Sequence, residues 1–201
     1  RAARRIPSMS ALARAMGLSA STVSRWEDGS SAPDPETLTR LAAFLVVRPE
    51  FFCRIEHISA RPTFHRSLSS ALARDLGYQA TQMRWLQEIS HAVAHYVNIP
   101  TVDIPDVMSG NSYKQFRHED FERIALELRR HWRLGEGPCG DMVSLLERLG
   151  IIVGVIEMGT VKLDGLCGWS PVDGRLHILL ASDKMSFARR QMDAAHEMAH
   201  V

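Results

Sequence analysis

Cysteine is scarce in this chain of 201 residues: Cys53, Cys139 and Cys167 are few, odd in number and far apart. That spacing argues against a disulfide framework and for a reducing, cytoplasmic setting. No CxxC pair is present, so no cysteine zinc knuckle is expected, and each cysteine reads as a small hydrophobe. No apolar run approaches the ~18 residues that a membrane span requires, and no signal peptide is recognisable. A glycine-rich phosphate loop, internal repeats and low-complexity tracts are all missing. No Ser/His/Asp set is visible, although a dispersed triad leaves no local signature. Lysine is also rare, three against twenty-one arginines. Genome composition alone produces such a skew, so no function is drawn from it.

What is present is an ordinary globular composition, 45% hydrophobic and 23% charged. The length suits one large domain or two small ones. A net charge of +1 excludes a uniformly basic nucleic-acid coat. The charge is uneven, however: +2 over residues 1–60, +2 over 61–98 and −3 over 99–201. Basic surface in the first half permits a phosphate partner. Simple surface solvation explains numbers this small equally well. The chain opens on Arg1 rather than Met and closes on Val201, which reads as a piece of a longer protein.

The pattern predicts a multidomain chain: an all-α domain over residues 1–58, a helical connector over 59–100, and an α+β domain with a small sheet over 101–201. In the first part, Ser8 caps a helix through Met16, stopped by Gly17. Ser19 caps a second helix to about Trp26. Asp34 before Pro35 starts a third, with Leu38, Leu41, Ala42 and Leu45 on one face. Pro49 opens a short turn carrying Phe51 and Phe52, and Arg1–Arg5 reads as the remnant of a helix. Ser59–Phe64 is a candidate linker. A long helix is expected from Ser69 to Asn98, with Leu72, Leu76, Met83, Leu86, Ile89, Val93 and Tyr96 as its apolar stripe. An extended connection through Pro100 and Pro105 follows. Helices are expected over 118–132, with Phe121, Ile124, Ala125, Leu128 and Trp132 inward, and over 140–149. Strands are expected over 151–156, 165–170 and 176–180, the last two joined by a hairpin at Asp173-Gly174. Ser182 or Asp183 should cap a final helix running past His200.

The stretch from Ser8 to Gly29 sets two short helices around Gly17-Leu18-Ser19, with Leu12, Ala15, Leu18, Val23 and Trp26 facing a small core. That arrangement crosses the second helix steeply over the first, so its outer face can enter a major groove. Its exposed positions are Ala20, Ser21, Ser24 and Arg25. Arg25 can offer a bidentate fork to a guanine edge, while Ser19 and the helix N-terminus can hold a phosphate. Residues 1–56 resemble the phage-repressor-like (XRE/Cro-C1 type) helix-turn-helix domains. The resemblance is carried by Leu12-Ala13, Gly17-Leu18-Ser19, Thr22-Val23-Ser24-Arg25-Trp26-Glu27, Gly29, Pro33, Pro35-Glu36-Thr37-Leu38 and Leu41-Ala42. It implies base contacts from the positions of Ala20, Ser21 and Arg25 and a backbone contact from that of Ser19, with double-stranded DNA as partner and a homodimer as reader of paired half-sites. Ala20 and Ser21 are small, and Asp28 places an anion near the phosphates. A helical domain for protein contacts is the alternative.

The second motif is His196-Glu197-Met198-Ala199-His200. On a helix, residues four apart share a face, so both imidazoles can chelate one Zn²⁺. Glu197 then lies where a carboxylate can take a proton and return it to a leaving amine. Arg189, Asp193, His196 and His200 share one face; Phe187, Ala194, Ala195 and Met198 populate the other. Two surface histidines on an amphipathic helix would look the same in isolation.

The context is broader than five residues. Asp173-Gly174-Arg175, Ile178-Leu179-Leu180-Ala181-Ser182-Asp183, Arg189-Arg190 and Ala195-His196-Glu197-Met198-Ala199-His200 together resemble the ImmA/IrrE family of metallopeptidases. Ala125–Leu134 with Gly135, and Leu145-Leu146 with Gly150-Ile151-Ile152-Val153, extend that resemblance upstream. It implies a zincin-like fold, Zn²⁺ held by His196 and His200, Glu197 as general base, and an acidic third ligand on a helix beyond Val201. It further implies limited cleavage of a protein substrate, a repressor-type protein, in a stress or induction response. A transcription factor with an inactive, sensing peptidase-like domain and a toxin–antitoxin or phage-defence component remain as alternatives.

Among the remaining residues, His91 and His95 are four apart but lack the adjoining Glu. Cys167 falls on a strand that could border a cleft, where redox sensitivity and core packing are the two readings. Trp85, Trp132 and Trp169 read as core or inter-domain fillers.

Overall fold

A computed structural model describes residues 1–53, 73–107, 116–160, 163–183 and 186–201. The predicted linker over 59–64 and the start of the long helix at Ser69, with Leu72, lie outside the described residues.

The N-terminal helices form where their caps predict. Helix α1 covers Met9–Met16, and the Ser8 hydroxyl accepts the Ala11 N–H. It stops at Gly17, whose φ of 68° is a left-handed conformation that glycine adopts without strain. Helix α2 covers Ala20–Glu27 and is capped by Ser19; α3 covers Pro35–Leu45 and is capped by Asp34. Pro49–Cys53 and Ala2–Arg4 are single 3₁₀ turns. The three helices enclose Leu12, Ala13, Met16, Val23, Leu41 and Leu45, with Leu18 and Trp26 at the margin. Ala15, expected in this core, is exposed; Ala13 and Met16 take the inward positions instead.

The C-terminal part is a three-layer unit. Strands β1 (Ile152–Ile156), β2 (Gly165–Trp169) and β3 (Leu176–Ala181) form a sheet in the order β1-β3-β2. The β1–β3 pair is parallel, and the β2–β3 hairpin is antiparallel with Cys167 opposite Ile178. Successive strand residues point to opposite faces. Leu176, Ile178, Leu180 and Cys167 meet α6 (Met142–Arg148) and α7 (Phe187–Met198) on one face. Leu166, Leu179 and Ala181 meet α4 (Ala73–Val93) on the other. Helix α5 covers His118–His131 and buries none of its residues; Phe121 is exposed, contrary to the inward stripe expected.

Helix α4 keeps only part of the apolar stripe read from its sequence, with Leu86 packed against the sheet core. Met83 is buried, but Ile89 is 61% exposed, and Tyr96, 88% exposed, lies past the helix end. The face against the sheet is Gln79, Met83, Gln87 and Ser90, all buried. Specific hydrogen bonds compensate this polar choice in part. Gln79 donates to the Met158 carbonyl, and the Ser90 hydroxyl meets His177 Nε2 at 2.7 Å.

The final helix also begins later than expected. Ser186, not Ser182 or Asp183, accepts the Arg189 N–H as its cap. The helix ends at Met198 with Ala199 as C-cap, so His200 sits one turn-residue beyond it rather than within it.

Arg1 and Arg4 brace the N-terminal helices, and Arg5 ties them to the sheet unit. Arg1 pairs with Glu27 at the end of α2 at 2.6 Å. Arg4 donates to the Leu45 and Val46 carbonyls, the last groups of α3. Arg5 donates to the Met158 carbonyl at 3.1 Å and lies 4.2 Å from the Tyr78 ring centre. None of the described helices is long and apolar enough to cross a membrane.

Candidate functional sites

Helix α2 turns one side inward through Val23, which is buried, and leaves Ala20, Ser21 and Arg25 exposed. Ser24 is half-buried on the flank. The Ser19 hydroxyl already serves the helix start: it accepts the Thr22 N–H at 3.1 Å and meets the Ser21 and Thr22 hydroxyls at 2.9 and 2.7 Å. These hydroxyls and the free first-turn N–H groups make a small polar rim at the N-terminus of α2. Arg25 projects from the same surface, while its backbone carbonyl accepts the Ser31 N–H. Asp28 is turned away into its own loop, where the Ser30 hydroxyl and N–H hold its carboxyl below the usual range. That pairing satisfies the anion expected near the phosphates within the loop.

At the other end of the chain, His196 and His200 do converge. Their Nε2 atoms are 3.0 Å apart, and their rings meet edge to face with centroids 4.6 Å apart. A tetrahedral zinc with Zn–N bonds of ~2.0–2.1 Å separates two nitrogens by roughly 3.3 Å. Two positions of a four-coordinate site are thus within reach of this pair. Among the described residues, no group of three or more His, Cys, Asp or Glu side chains gathers around a common point. The described residues therefore fit part of such a site, and the acidic third ligand expected beyond Val201 has no counterpart in them.

Glu197 departs from the simple helical picture. It lies on the buried side of α7 with Ala194 and Met198 and is only 4% exposed. Its carboxylate faces β2, beside the Cys167 thiol. Burial, and then the nearby Glu197 charge, push that thiol up to about 12, so it remains protonated at neutral pH. Gly165, two residues earlier on the same face, comes close enough that an added Cβ would lie 2.9 Å from Glu197 Cγ. Phe187, expected on the inward face, is 65% exposed at the first turn of α7. Arg189 on the outer face pairs with Asp164 at 2.9 Å and more loosely with Asp193.

The remaining histidines separate into distinct environments. His177 is fully buried on β3, its Nδ1 against the Arg175 carbonyl and its Nε2 against Ser90. Burial lowers its pKa below the ordinary imidazole value. His91 and His95 stack edge to face at 5.1 Å, with His95 Nδ1 donating to the His91 carbonyl. His131 meets Asp103 at 2.6 Å on the surface.

Sequence reasoning missed two partnerships, Glu197 with Gly165 and Cys167, and His177 with Ser90. The first left a faint trace, two small residues at alternate positions of a strand. The second left none, because its members are far apart in sequence and neither belongs to a motif.

Residues 7–52 match the helix-turn-helix family model. This N-terminal segment is a helix-turn-helix, the module that presents a helix to a DNA major groove. No curated protein and no solved structure matches the chain.

Proposed function

We propose that this chain is a DNA-binding transcriptional regulator coupled to an ImmA/IrrE-like, zincin-type peptidase centre at the end of α7. The helix-turn-helix match over residues 7–52 carries the DNA-binding half. In this reading residues 1–58 bind DNA, 59–100 connect, and 101–201 hold the peptidase unit. The protein acts in the cytoplasm and reads paired half-sites as a homodimer. Ser19, Ala20, Ser21, Ser24 and Arg25 meet the duplex, Arg25 at a base edge and Ser19 at a phosphate. Arg25→Ala is expected to cost roughly 1–3 kcal/mol of discrimination at one base pair. Fluorescence anisotropy across operator variants measures this, and binding that keeps its sequence preference excludes the Arg25 contact.

The convergence of His196 and His200 at 3.0 Å is the observation that supports the peptidase half. In this reading the two histidines hold Zn²⁺ through Nε2, with a third ligand beyond Val201. When bound, the metal supplies an activated water and a Lewis acid. Glu197 accepts a proton at its carboxylate and returns it to the leaving amine. The substrate is a repressor-type protein, cut once in a stress or induction response.

Glu197→Gln tests this half directly. The variant should keep zinc content and DNA affinity but lose cleavage and the downstream response. Induction that survives the change overturns the peptidase reading. It would favour the alternative, a transcription factor with a peptidase-like sensor domain, to which the burial of Glu197 at 4% exposure lends weight. A toxin–antitoxin or phage-defence role would show instead as growth arrest or altered phage sensitivity.

A further inference from the structure

Three features of β2 bear on Glu197. The strand is an edge of the sheet, and its face toward α7 carries Gly165, Cys167 and Trp169 at alternate positions. The first two are small and the third is large, which leaves a depression at the Gly165–Cys167 end. Glu197 fills it: its Cγ, Cδ and Oε1 would lie 2.9, 3.1 and 3.0 Å from a Cβ at position 165. A side chain at 165 and the carboxylate at 197 cannot both keep these places. Beside it lies Cys167, fully buried, with its thiol toward the carboxylate.

A buried carboxylate needs hydrogen-bond partners, because leaving it bare in an apolar core is costly. The thiol supplies one on the sheet side. A neutral thiol can donate, and because Cys167 is pinned in the core between β2 and α7, that donor has a fixed position. Ordinary core packing would be served equally well by valine or alanine at 167 and by alanine at 165; neither would hold the carboxylate in this place.

We infer that Gly165 and Cys167 are positioning residues: they form a slot on β2 that seats the Glu197 carboxylate and fixes its orientation. This rests on reading Glu197 as the proton-transferring group, and it adds to that reading which residues of the sheet hold it. The slot is steric at Gly165 and hydrogen-bonding at Cys167, so the two halves are separable by experiment.

The steric half is tested on the full chain by chemical denaturation of wild type, Gly165→Ala, Glu197→Ala and the double variant, all metal-free. The slot predicts that Gly165→Ala shifts the unfolding equilibrium roughly tenfold less once Glu197 is truncated, as directly contacting pairs do. An equal shift in both backgrounds overturns the steric contact. The hydrogen-bonding half is read from the S–H stretching band of Cys167 in a Cys53→Ser, Cys139→Ser background. The band should lie at lower frequency with Glu197 present than in Glu197→Ala; if Glu197→Ala does not fold, Glu197→Met, of similar length but without an oxygen acceptor, carries the comparison. An unmoved band overturns the hydrogen bond.

In a cleavage assay, Cys167→Ala should lower kcat roughly 10–100-fold with little change in KM, while Cys167→Ser recovers most of it. Equal loss in both variants means that Cys167 only fills volume. A wild-type protein that binds no zinc and cleaves nothing defeats the peptidase reading. The denaturation cycle and the S–H band would still decide the slot.

Discussion

The helix-turn-helix and the sheet unit are built on different principles. In the first, each helix start is written locally: Ser8, Ser19 and Asp34 each cap the helix that follows, within three residues. In the second, the decisive contacts join distant residues, such as Ser90 with His177 and Cys167 with Glu197. Local rules therefore suffice for the DNA-facing surface. The paired-histidine end of α7 depends on a helix, a strand and a buried carboxylate arriving together. Arg5 bridges the two regions through Met158 and Tyr78, so they are distinct in construction yet in contact.

The strongest way to break this comparison is to empty the core of one region only. Leu146 is fully buried beneath the sheet, and Leu146→Ala is expected to cost about 2–5 kcal/mol. DNA binding should survive while the sheet unit melts early. A single unchanged transition seen by both DNA binding and near-UV circular dichroism would mean that the two regions unfold as one.

A smaller effect separates α4 from the sheet. Ser90→Ala leaves the buried His177 imidazole short of a partner, an expected loss of roughly 1–3 kcal/mol. His177 also sets a pH dependence. Its pKa is lowered in the folded protein, so the unfolded chain takes up the proton first. Stability is complete above the ordinary imidazole value and falls as pH drops below it, until the folded form protonates as well. Urea denaturation from about pH 7.5 to about pH 5, on either side of the ordinary value of ~6.5, checks this. His177→Gln should flatten the profile, and an unchanged slope would remove His177 as its source.

The smallest effect belongs to the locally written region. Ser19→Ala removes the hydroxyl that accepts the Thr22 N–H and should cost about 1 kcal/mol. It should also weaken DNA binding at all sequences alike, since a helix start carries no base information. Loss confined to particular base pairs would show that Ser19 reads sequence.

The expectations that held follow the same division. Ser8, Gly17, Ser19, Asp34 and the Asp173-Gly174 hairpin were legible because each acts on its immediate neighbours. The three strands were legible, the first from its β-branched run and the other two from the turn signal between them. Helix α4 was legible only in part: Met83 and Leu86 turn inward as its stripe requires, but they share that face with Gln79, Gln87 and Ser90, whereas Ile89 and Val93 face out. Periodicity assumes that only apolar residues turn inward, and here Gln79 and Ser90, bonded to Met158 and His177, share that face. The start of α7 was misplaced because Ser182, Asp183 and Ser186 all qualify as caps by residue type. In the structure Ser186 takes the role, its hydroxyl accepting the Arg189 N–H.

By itself, then, the sequence determined the helix-turn-helix, the order of helices and strands, and the spacing that lets His196 and His200 face each other. All three depend on φ/ψ preferences and hydrogen bonds spanning a few residues. The tertiary structure alone decided which face of α4 is buried, and that Glu197 turns into the sheet against Gly165 and Cys167. Those outcomes are set by the shape of the space between layers. A linear pattern does not record which small residue on one element lies opposite which large one on another.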